Sequence, residues 1–211
     1  MSTADVVQVV TADRALTVVR AAAIPDVTAL AGALVEGGIR TLELTFTTPN
    51  VLRYVADAAA TAERTGVVMG VGTVMTADDA RAAIDAGARF VVTPGLRPDV
   101  AAVAVAAGVP VFPGALTPTE VAAAVDLGAA AVKIFPARAF GPRYLKDLHG
   151  PYPQTPLLPS GGVDESNAAD YLAAGAVAVC AGTSVVPPAA VESGDWNDIL
   201  SRAKRFIAAL D

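Results

Sequence analysis

The chain has 211 residues, of which 54% are apolar and only 17% are charged, and this composition excludes an intrinsically disordered protein. The length fits one domain, because domains commonly hold roughly 100–200 residues and single α/β barrels run to about 250. Acidic residues outnumber basic residues by 21 to 15. This balance argues against nucleic acids and anionic membranes as partners, since both are bound through basic patches.

The amino terminus and the cysteine content predict a soluble protein of the cytoplasm. Asp5 stands where a secretory signal needs positive charge. The apolar stretch 100–116 is broken by glycine and proline and is shorter than the ~20 residues of a membrane span. The single cysteine, Cys180, cannot form an internal disulfide, which suits a reducing compartment.

One theme repeats along the chain: a short β-branched run ending in Gly or Pro is followed by an Ala-rich amphipathic stretch that closes on Gly. The predicted strands are 16–20, 41–46, 67–73, 90–93, 109–113, 131–135, 157–160 and 176–181. The predicted helices are 24–36, 51–63, 77–86, 99–107, 118–127, 143–148, 165–174 and 196–210. Several of them begin at a capping residue and most end at a glycine that suits a left-handed C-cap.

Eight strand–helix units predict parallel strands with right-handed crossovers. At this length they make a compact α/β fold of the (β/α)8 TIM-barrel type. We therefore expect one barrel domain over 1–211, closed by a carboxyl-terminal helix at about 196–210. An open doubly wound sheet is the alternative, but its dinucleotide-binding form needs glycines after the first strand, where this sequence has Arg20 and three alanines.

Lys133 is the strongest catalytic candidate. In a barrel, alternate strand residues face the interior, and those at the carboxyl ends line the active site. Lys133 stands inside the apolar run 131–136, where the alternation predicts that Lys133 and Phe135 point inward. Burial of a lysine disfavours its charged form and frees the amine to attack a carbonyl carbon. A salt-bridged structural lysine is the alternative, although Lys146 and Lys204, the other two lysines, lie on solvent-facing helical patterns.

Glu43 and Arg20 are the next candidates. Glu43 is the only carboxylate inside a predicted strand, and a buried carboxylate must be paired or used. It is either a general acid/base beside the amine or an inert ion-pair partner of Lys133 or Arg20. Arg20 ends the first strand, where a guanidinium can hold a substrate carboxylate through two hydrogen bonds or can pair with Glu43.

Three turns add binding candidates. Thr73 closes the run 70–73, in which glycines permit close backbone approach and the threonine hydroxyl can bind a carboxylate. The turns at Gly161-Gly162 and 182–184 follow the seventh and eighth strands. Many barrels bind phosphate at these positions, through backbone N–H groups and a helix start. Ordinary structural turns are the alternative for each.

No metal site and no thiol nucleophile are expected. The sole histidine, His149, lies in a loop, and the sequence has no His, Asp and Glu cluster at metal-ligand spacing. This pattern disfavours a metal-dependent aldolase or hydrolase. Cys180 lies in an apolar strand and is interpreted as a small core residue.

Five motifs together resemble the class I aldolases that cleave 2-keto-3-deoxy-6-phosphogluconate (KDPG) or 4-hydroxy-2-oxoglutarate (KHG). The motifs are LELTF at 42–46, GVGTV at 70–74, VTPG at 92–95, VKIFP at 132–136 and PSGGV at 159–163. The resemblance extends from about residue 16 to residue 210. It implies that Lys133 forms the Schiff base and that Glu43 is the general acid/base. It further implies carboxylate and pocket contacts at Arg20, Thr73, Pro94 and Phe135, and phosphate contacts at Gly161, Gly162 and Ser184.

The resemblance also implies a homotrimer that acts on a small 2-keto acid or phosphosugar acid without a cofactor or a metal. Two departures bear on specificity. Thr47 stands where some members have an arginine that helps to hold the substrate, and Ser160 stands where many have threonine. The segment 139–142 is also similar to aldolases of the C4 epimer, 2-keto-3-deoxy-6-phosphogalactonate. That activity, an isomerase or epimerase acting on phosphosugars, and a non-catalytic sugar-phosphate-binding barrel remain alternatives.

Overall fold

A computed structural model describes residues 2–211, where strands alternate with helices as the sequence predicts. The strands are β1 (Ala15–Val19), β2 (Thr41–Thr45), β3 (Val68–Gly72), β4 (Val91–Val92), β5 (Val111–Phe112), β6 (Gly114–Ala115), β7 (Val132–Ile134), β8 (Leu157–Pro159) and β9 (Val179–Ala181). The helices are α1 (Thr3–Asp13), α2 (Val27–Glu36), α3 (Val51–Ala59), α4 (Ala62–Thr65), α5 (Ala77–Asp85), α6 (Pro98–Ala106), α7 (Pro118–Asp126), α8 (Arg143–His149), α9 (Ala168–Ala173), α10 (Pro188–Ser193) and α11 (Trp196–Ala208). One turn of 3₁₀ helix, Ala137–Ala139, follows β7.

The strand pairs are parallel, which confirms the α/β class with a parallel sheet. The strand order is β5-β4-β3-β2-β1-β9 in one sheet and β6-β7-β8 in the other. Pro113 separates β5, which lies within the predicted strand 109–113, from β6, which begins just after it; proline has no N–H to donate to a ladder. On the other side, the N–H of Val177, just before β9, donates to the carbonyl of Leu157 in β8 at 3.0 Å.

Side chains on the two faces of the strands enter two different apolar clusters. Leu42, Leu44 and Ile134 pack in the cluster that includes the helices, whereas Phe90 and Phe112 belong to a second cluster in the interior. The predicted alternation is therefore confirmed for β2 and β7. The alternation places Glu43, between the two leucines, and Lys133, beside Ile134, on the interior face of the strands.

Helix α1 is an element that the sequence analysis did not predict. It begins with a capping box in which the Ser2 hydroxyl accepts from the N–H of Asp5, and the Asp5 carboxylate accepts from the N–H of Ser2. Its buried residues, Val6 and Val10, join the interior cluster together with Val68, at the start of β3. The helix thus covers the amino-terminal ends of the strands and leaves the carboxyl ends for the site.

Other differences are local. The predicted helix 51–63 ends at Ala59 and is followed by the separate short helix α4, while the predicted helix 165–174 begins only at Ala168. Helix α10 was not predicted. Within residues 2–211, no helix combines the length and the apolar character that crossing a membrane requires.

Candidate active site

A cavity of about 640 Å³ lies at the carboxyl ends of the strands. All of the site residues predicted from the sequence line it: Arg20, Glu43, Thr73, Pro94, Lys133, Phe135, Gly161, Gly162 and Ser184. Residues that are far apart in the chain are thus brought together on one surface. A shallow groove along α1 is lined by Thr3, Ala4, Val7, Gln8, Thr11, Ala12 and Ala130, and none of these side chains is ionisable near neutral pH.

Lys133 and Glu43 face each other in the buried part of the cavity. Their side chains are 8% and 1% exposed, and 3.9 Å separates Lys133 Nζ from Glu43 Oε1. This distance is an electrostatic contact but exceeds that of a hydrogen bond. Neither Glu43 oxygen has a hydrogen-bond partner among the described residues. The carboxyl group is therefore buried beside the Lys133 side chain, and both of its oxygens are without a hydrogen-bond partner in the described part of the chain.

Burial dominates the titration of Glu43. It raises the pKa of Glu43 above the ordinary value of 4.5, and the positive charges of Lys133 and Arg20 oppose the rise. A carboxyl with a raised pKa exchanges its proton closer to neutral pH than an exposed one. Such a group is suited to acid and base steps in turn.

Two glycines of β3 make room for side chains in the interior. A Cβ on Gly72 would lie on the Glu43 carboxyl group, and a Cβ on Gly70 would collide with the ring of Phe90. The sequence predicts close approach to the backbone at residues 70–73, and the structure shows it. The groups that come close are the side chains of Glu43 and Phe90. Only glycine at position 72 leaves the Glu43 carboxyl its place.

Thr73 follows directly and has a φ of 56°. This left-handed conformation is uncommon for a residue other than glycine, and such residues cluster at functional sites. The conformation places Thr73 on the cavity wall just beyond Gly72. A hydroxyl held there is consistent with the predicted contact to a substrate carboxylate.

The surroundings of Lys133 are apolar and aromatic on one side. Its Nζ lies 5.5 Å from the centroid of the Phe135 ring, within the range of a cation–π contact. Cys180 also lines the cavity and is buried. Burial raises the pKa of the Cys180 thiol to about 12, although the charge of Lys133 lowers it. The thiol therefore stays protonated, as expected for a core residue and not for a nucleophile.

Arg20 is exposed at the end of β1 and lines the same cavity. Within residues 2–211 its guanidinium forms no hydrogen bond and no ion pair with Glu43 or another carboxylate. The structural ion pair that the sequence left open for Arg20 is thus absent from the part of the chain described. The guanidinium is available to an anionic ligand.

The two predicted phosphate turns lie on one side of the cavity. Gly161 and Gly162 have φ values of 86° and 87°, which favour glycine. The backbone N–H groups of Gly161, Gly162 and Ser184 donate to no acceptor among residues 2–211. The helix start expected beside Gly162 is not there, because α9 begins at Ala168 and has six residues. Any anion at this turn would be held by the free N–H groups and not by a helix terminus.

The two departures noted in the sequence have clear positions. Thr47 is exposed and its hydroxyl is hydrogen-bonded to that of Thr45 at 2.8 Å, and Thr47 is not among the cavity-lining residues. Its side chain therefore does not contribute to the cavity wall. Ser160 is buried and lines the cavity beside Gly161.

Sequence reasoning missed Arg138 and Asp164, which also line the cavity. Both follow the carboxyl end of a strand, and this position is the signal that could have identified them. No group of three or more His, Cys, Asp and Glu side chains is placed to hold a metal ion in the described part of the chain.

The fold and the cavity together define the class of protein. A buried amine beside a buried carboxyl, at the carboxyl ends of parallel strands, is the equipment of an enzyme that forms an imine with a ketone. The cavity also presents a free guanidinium and free backbone N–H groups to an anionic substrate. These features are expected of a class I aldolase.

Comparison with known proteins identifies the family. The family model for KDPG and KHG aldolase matches residues 6–202. The 2-dehydro-3-deoxy-phosphogluconate aldolase of Treponema pallidum (strain Nichols) is 37% identical over 195 residues, 92% of each chain. The KHG/KDPG aldolase of Escherichia coli (strain K12) is 34% identical over 182 residues, 84% of this chain and 83% of the relative. The chain therefore belongs to the KDPG and KHG aldolase family.

A solved structure shows a reaction intermediate on a similar fold. The KDPG aldolase from Legionella pneumophila, with pyruvate captured at low pH as a covalent carbinolamine intermediate, has a TM-score of 0.86 and 29% identity. The match covers 94% of this chain and 96% of the Legionella chain. A carbinolamine is the first covalent product of an amine with a ketone, and its capture in the Legionella protein is consistent with a class I mechanism.

Proposed function

We propose that this protein cleaves KDPG to pyruvate and D-glyceraldehyde 3-phosphate, and KHG to pyruvate and glyoxylate. The observation that carries the proposal is the pair of buried side chains, Lys133 and Glu43, 3.9 Å apart in the cavity. The names of the Treponema and Escherichia relatives support the two substrates.

In the proposed mechanism, the Lys133 amine attacks the C2 carbonyl carbon of the substrate. The new C–N bond forms as the carbonyl π electrons move to oxygen, which takes a proton, and loss of water from this carbinolamine gives a protonated imine. The C3–C4 bond then breaks and its electrons enter the imine to form an enamine, while the C4 hydroxyl loses its proton and departs as the aldehyde. Protonation of C3 and hydrolysis release pyruvate and restore the amine.

Glu43 is the proposed proton carrier for these steps. It serves carbinolamine formation and dehydration, the C4 hydroxyl, and the enamine carbon in turn. Its two unpaired oxygens and its raised pKa suit this exchange. Arg20 and Thr73 are proposed to hold the substrate carboxylate, Pro94 and Phe135 to shape the pocket, and Gly161, Gly162 and Ser184 to bind the phosphate. The protonated imine is the electron sink, so the chemistry calls for no metal or cofactor.

Steady-state pyruvate formation tests the proposed reaction. We expect measurable kcat/KM for KDPG and KHG, and a lower kcat/KM for the C4 epimer of KDPG under the same conditions. If kcat/KM is higher for the epimer than for KDPG, the epimer is the preferred substrate. If none of the three compounds yields pyruvate, the aldolase proposal is contradicted, and a sugar-phosphate-binding protein is the alternative that remains.

The raised pKa of Glu43 predicts a pH dependence. The ionised carboxylate must accept the C4 hydroxyl proton, so kcat/KM should fall as the pH drops through the pKa of Glu43 in the free enzyme. Because burial raises that pKa, the acid-side midpoint of kcat/KM should lie above 4.5. The measurement is kcat/KM for KDPG against pH, in buffers of constant ionic strength. A midpoint at or below 4.5 would contradict control of the reaction by a Glu43 carboxyl with a raised pKa.

We further propose that the parallel strands close into one eight-stranded (β/α)8 barrel that comprises the whole chain as a single domain. The support is that segment 111–115 belongs to both sheets and that the Val177–Leu157 hydrogen bond joins their other edges. Counting β5 and β6 as one strand interrupted by Pro113 gives the eight strands. We also propose a cytoplasmic homotrimer that serves the Entner–Doudoroff pathway, which the family resemblance and the lone buried cysteine support.

A further inference from the structure

Arg138 lies beside the proposed phosphate turn. It is in the 3₁₀ turn after β7, and its backbone N–H donates to the carbonyl of Gly161 at 3.0 Å. Its side-chain stem runs along Gly162, because a Cβ built on Gly162 would lie 2.6 Å from Arg138 Cβ and 3.1 Å from its Cδ. The left-handed φ of Gly162 and the absence of a side chain there let the arginine stem approach the turn. The backbone of Arg138 is thus fixed to the same glycines that offer free N–H groups.

The Arg138 guanidinium has no partner in the protein. Among residues 2–211 it forms no ion pair and no hydrogen bond, although the residue is exposed and lines the cavity. The carboxylate of Asp164, on the same wall, already accepts hydrogen bonds from the N–H and the hydroxyl of Ser166. An unpaired guanidinium beside free backbone donors is a favourable place for an anion.

The charges of the cavity assign this cation to one end of the substrate. Its ionisable side chains are Arg20, Lys133 and Arg138 on the positive side, and Glu43 and Asp164 on the negative side, apart from the inert Cys180. Lys133 and Glu43 face each other, and Arg20 is the cation proposed for the carboxylate. Arg138 is then the remaining positive side chain for a second anionic group, and it is next to Gly161 and Gly162.

We propose that Arg138 binds the phosphate of the substrate and determines the preference for phosphorylated over unphosphorylated 2-keto acids. The inference rests on the proposed aldolase function and adds a side-chain charge to a phosphate site otherwise built from the backbone N–H groups of Gly161, Gly162 and Ser184. Arg138 takes no part in the bond-breaking steps. The kcat/KM for KHG, which has no phosphate, should therefore not depend on the charge of Arg138.

The test compares Arg138→Gln with Arg143→Gln. Glutamine keeps much of the stem that lies along Gly162 and removes the charge. Arg143 is an exposed arginine at the start of α8 that does not line the cavity. We expect Arg138→Gln to lower kcat/KM for KDPG by about 10-fold to 100-fold, the usual effect of losing a charged hydrogen bond, and to change kcat/KM for KHG less than twofold. Arg143→Gln should change neither.

A binding measurement separates this proposal from the aldolase proposal. Glycerol 3-phosphate, titrated calorimetrically against glycerol as the uncharged control, should bind the wild type and bind Arg138→Gln at least tenfold more weakly. That result would support the phosphate role even if the wild type cleaved no substrate, in which case the aldolase proposal alone would fail. Equal losses of kcat/KM on KDPG and KHG would overturn the inference in favour of a structural role. Unchanged glycerol 3-phosphate affinity in Arg138→Gln would overturn it as well.

Discussion

The Lys133→Arg variant is expected to lose turnover of both KDPG and KHG. A guanidinium remains protonated in proteins and cannot add to a carbonyl carbon. The substitution keeps a positive charge opposite Glu43. Without that charge the buried Glu43 carboxylate would have no buried cation nearby. The fold should therefore be retained, and kcat should fall to the background rate in the pyruvate-formation assay.

Lys146→Arg is the matched control for this variant. Lys146 lies in α8, is exposed, and does not line the cavity, so the control should keep the wild-type kcat. If Lys133→Arg cleaves KDPG at an appreciable rate, the imine mechanism is wrong. The carbon–carbon bond would then have to break without a covalent intermediate on Lys133.

Replacing Glu43 with glutamine is expected to lower kcat by 10²–10⁴-fold, the usual contribution of a general acid or base. Glutamine matches glutamate in shape and fits the space that Gly72 leaves for it, but its amide cannot carry the proton. The amine of Lys133 remains, so slow imine formation with pyruvate should persist while cleavage is nearly lost. The measurements are kcat for KDPG and the rate of borohydride trapping, each compared with wild type.

Glu43→Asp is the informative companion because it retains a carboxyl group and withdraws it by one methylene. Its kcat should lie between those of the wild type and Glu43→Gln. Wild-type kcat in Glu43→Gln would show that another group moves the protons, and the buried carboxyl would then be only the ion-pair partner of Lys133.

The part of the site that lies within strands could be predicted from the sequence. Alternation with a period of two is a local property, so the sequence places Glu43 and Lys133 opposite the leucines and isoleucine that pack against helices. Turn glycines are local as well, and Gly161 and Gly162 have the positive φ that the motif requires. Parallel pairing then brings the strand ends together.

What the sequence did not reveal depends on contacts between distant segments. Gly72 leaves space for the Glu43 carboxyl group, which belongs to the neighbouring strand. Helix α1 covers the amino-terminal ends of strands that are far from it in the chain. The Arg138 stem packs along Gly162, 24 positions away, because Gly162 has no side chain. A sequence pattern carries no local signal for such a contact.

Borohydride reduction in the presence of pyruvate tests most directly whether Lys133 forms an imine with a 2-keto acid. Reduction followed by peptide mass mapping should find one reduced pyruvate adduct per chain, on the peptide that contains Lys133. Lys204, which is exposed and paired with Glu36 at 3.2 Å, and Lys146 should not be labelled at a comparable rate. An adduct on another lysine, or no adduct under conditions that support turnover, would contradict the account.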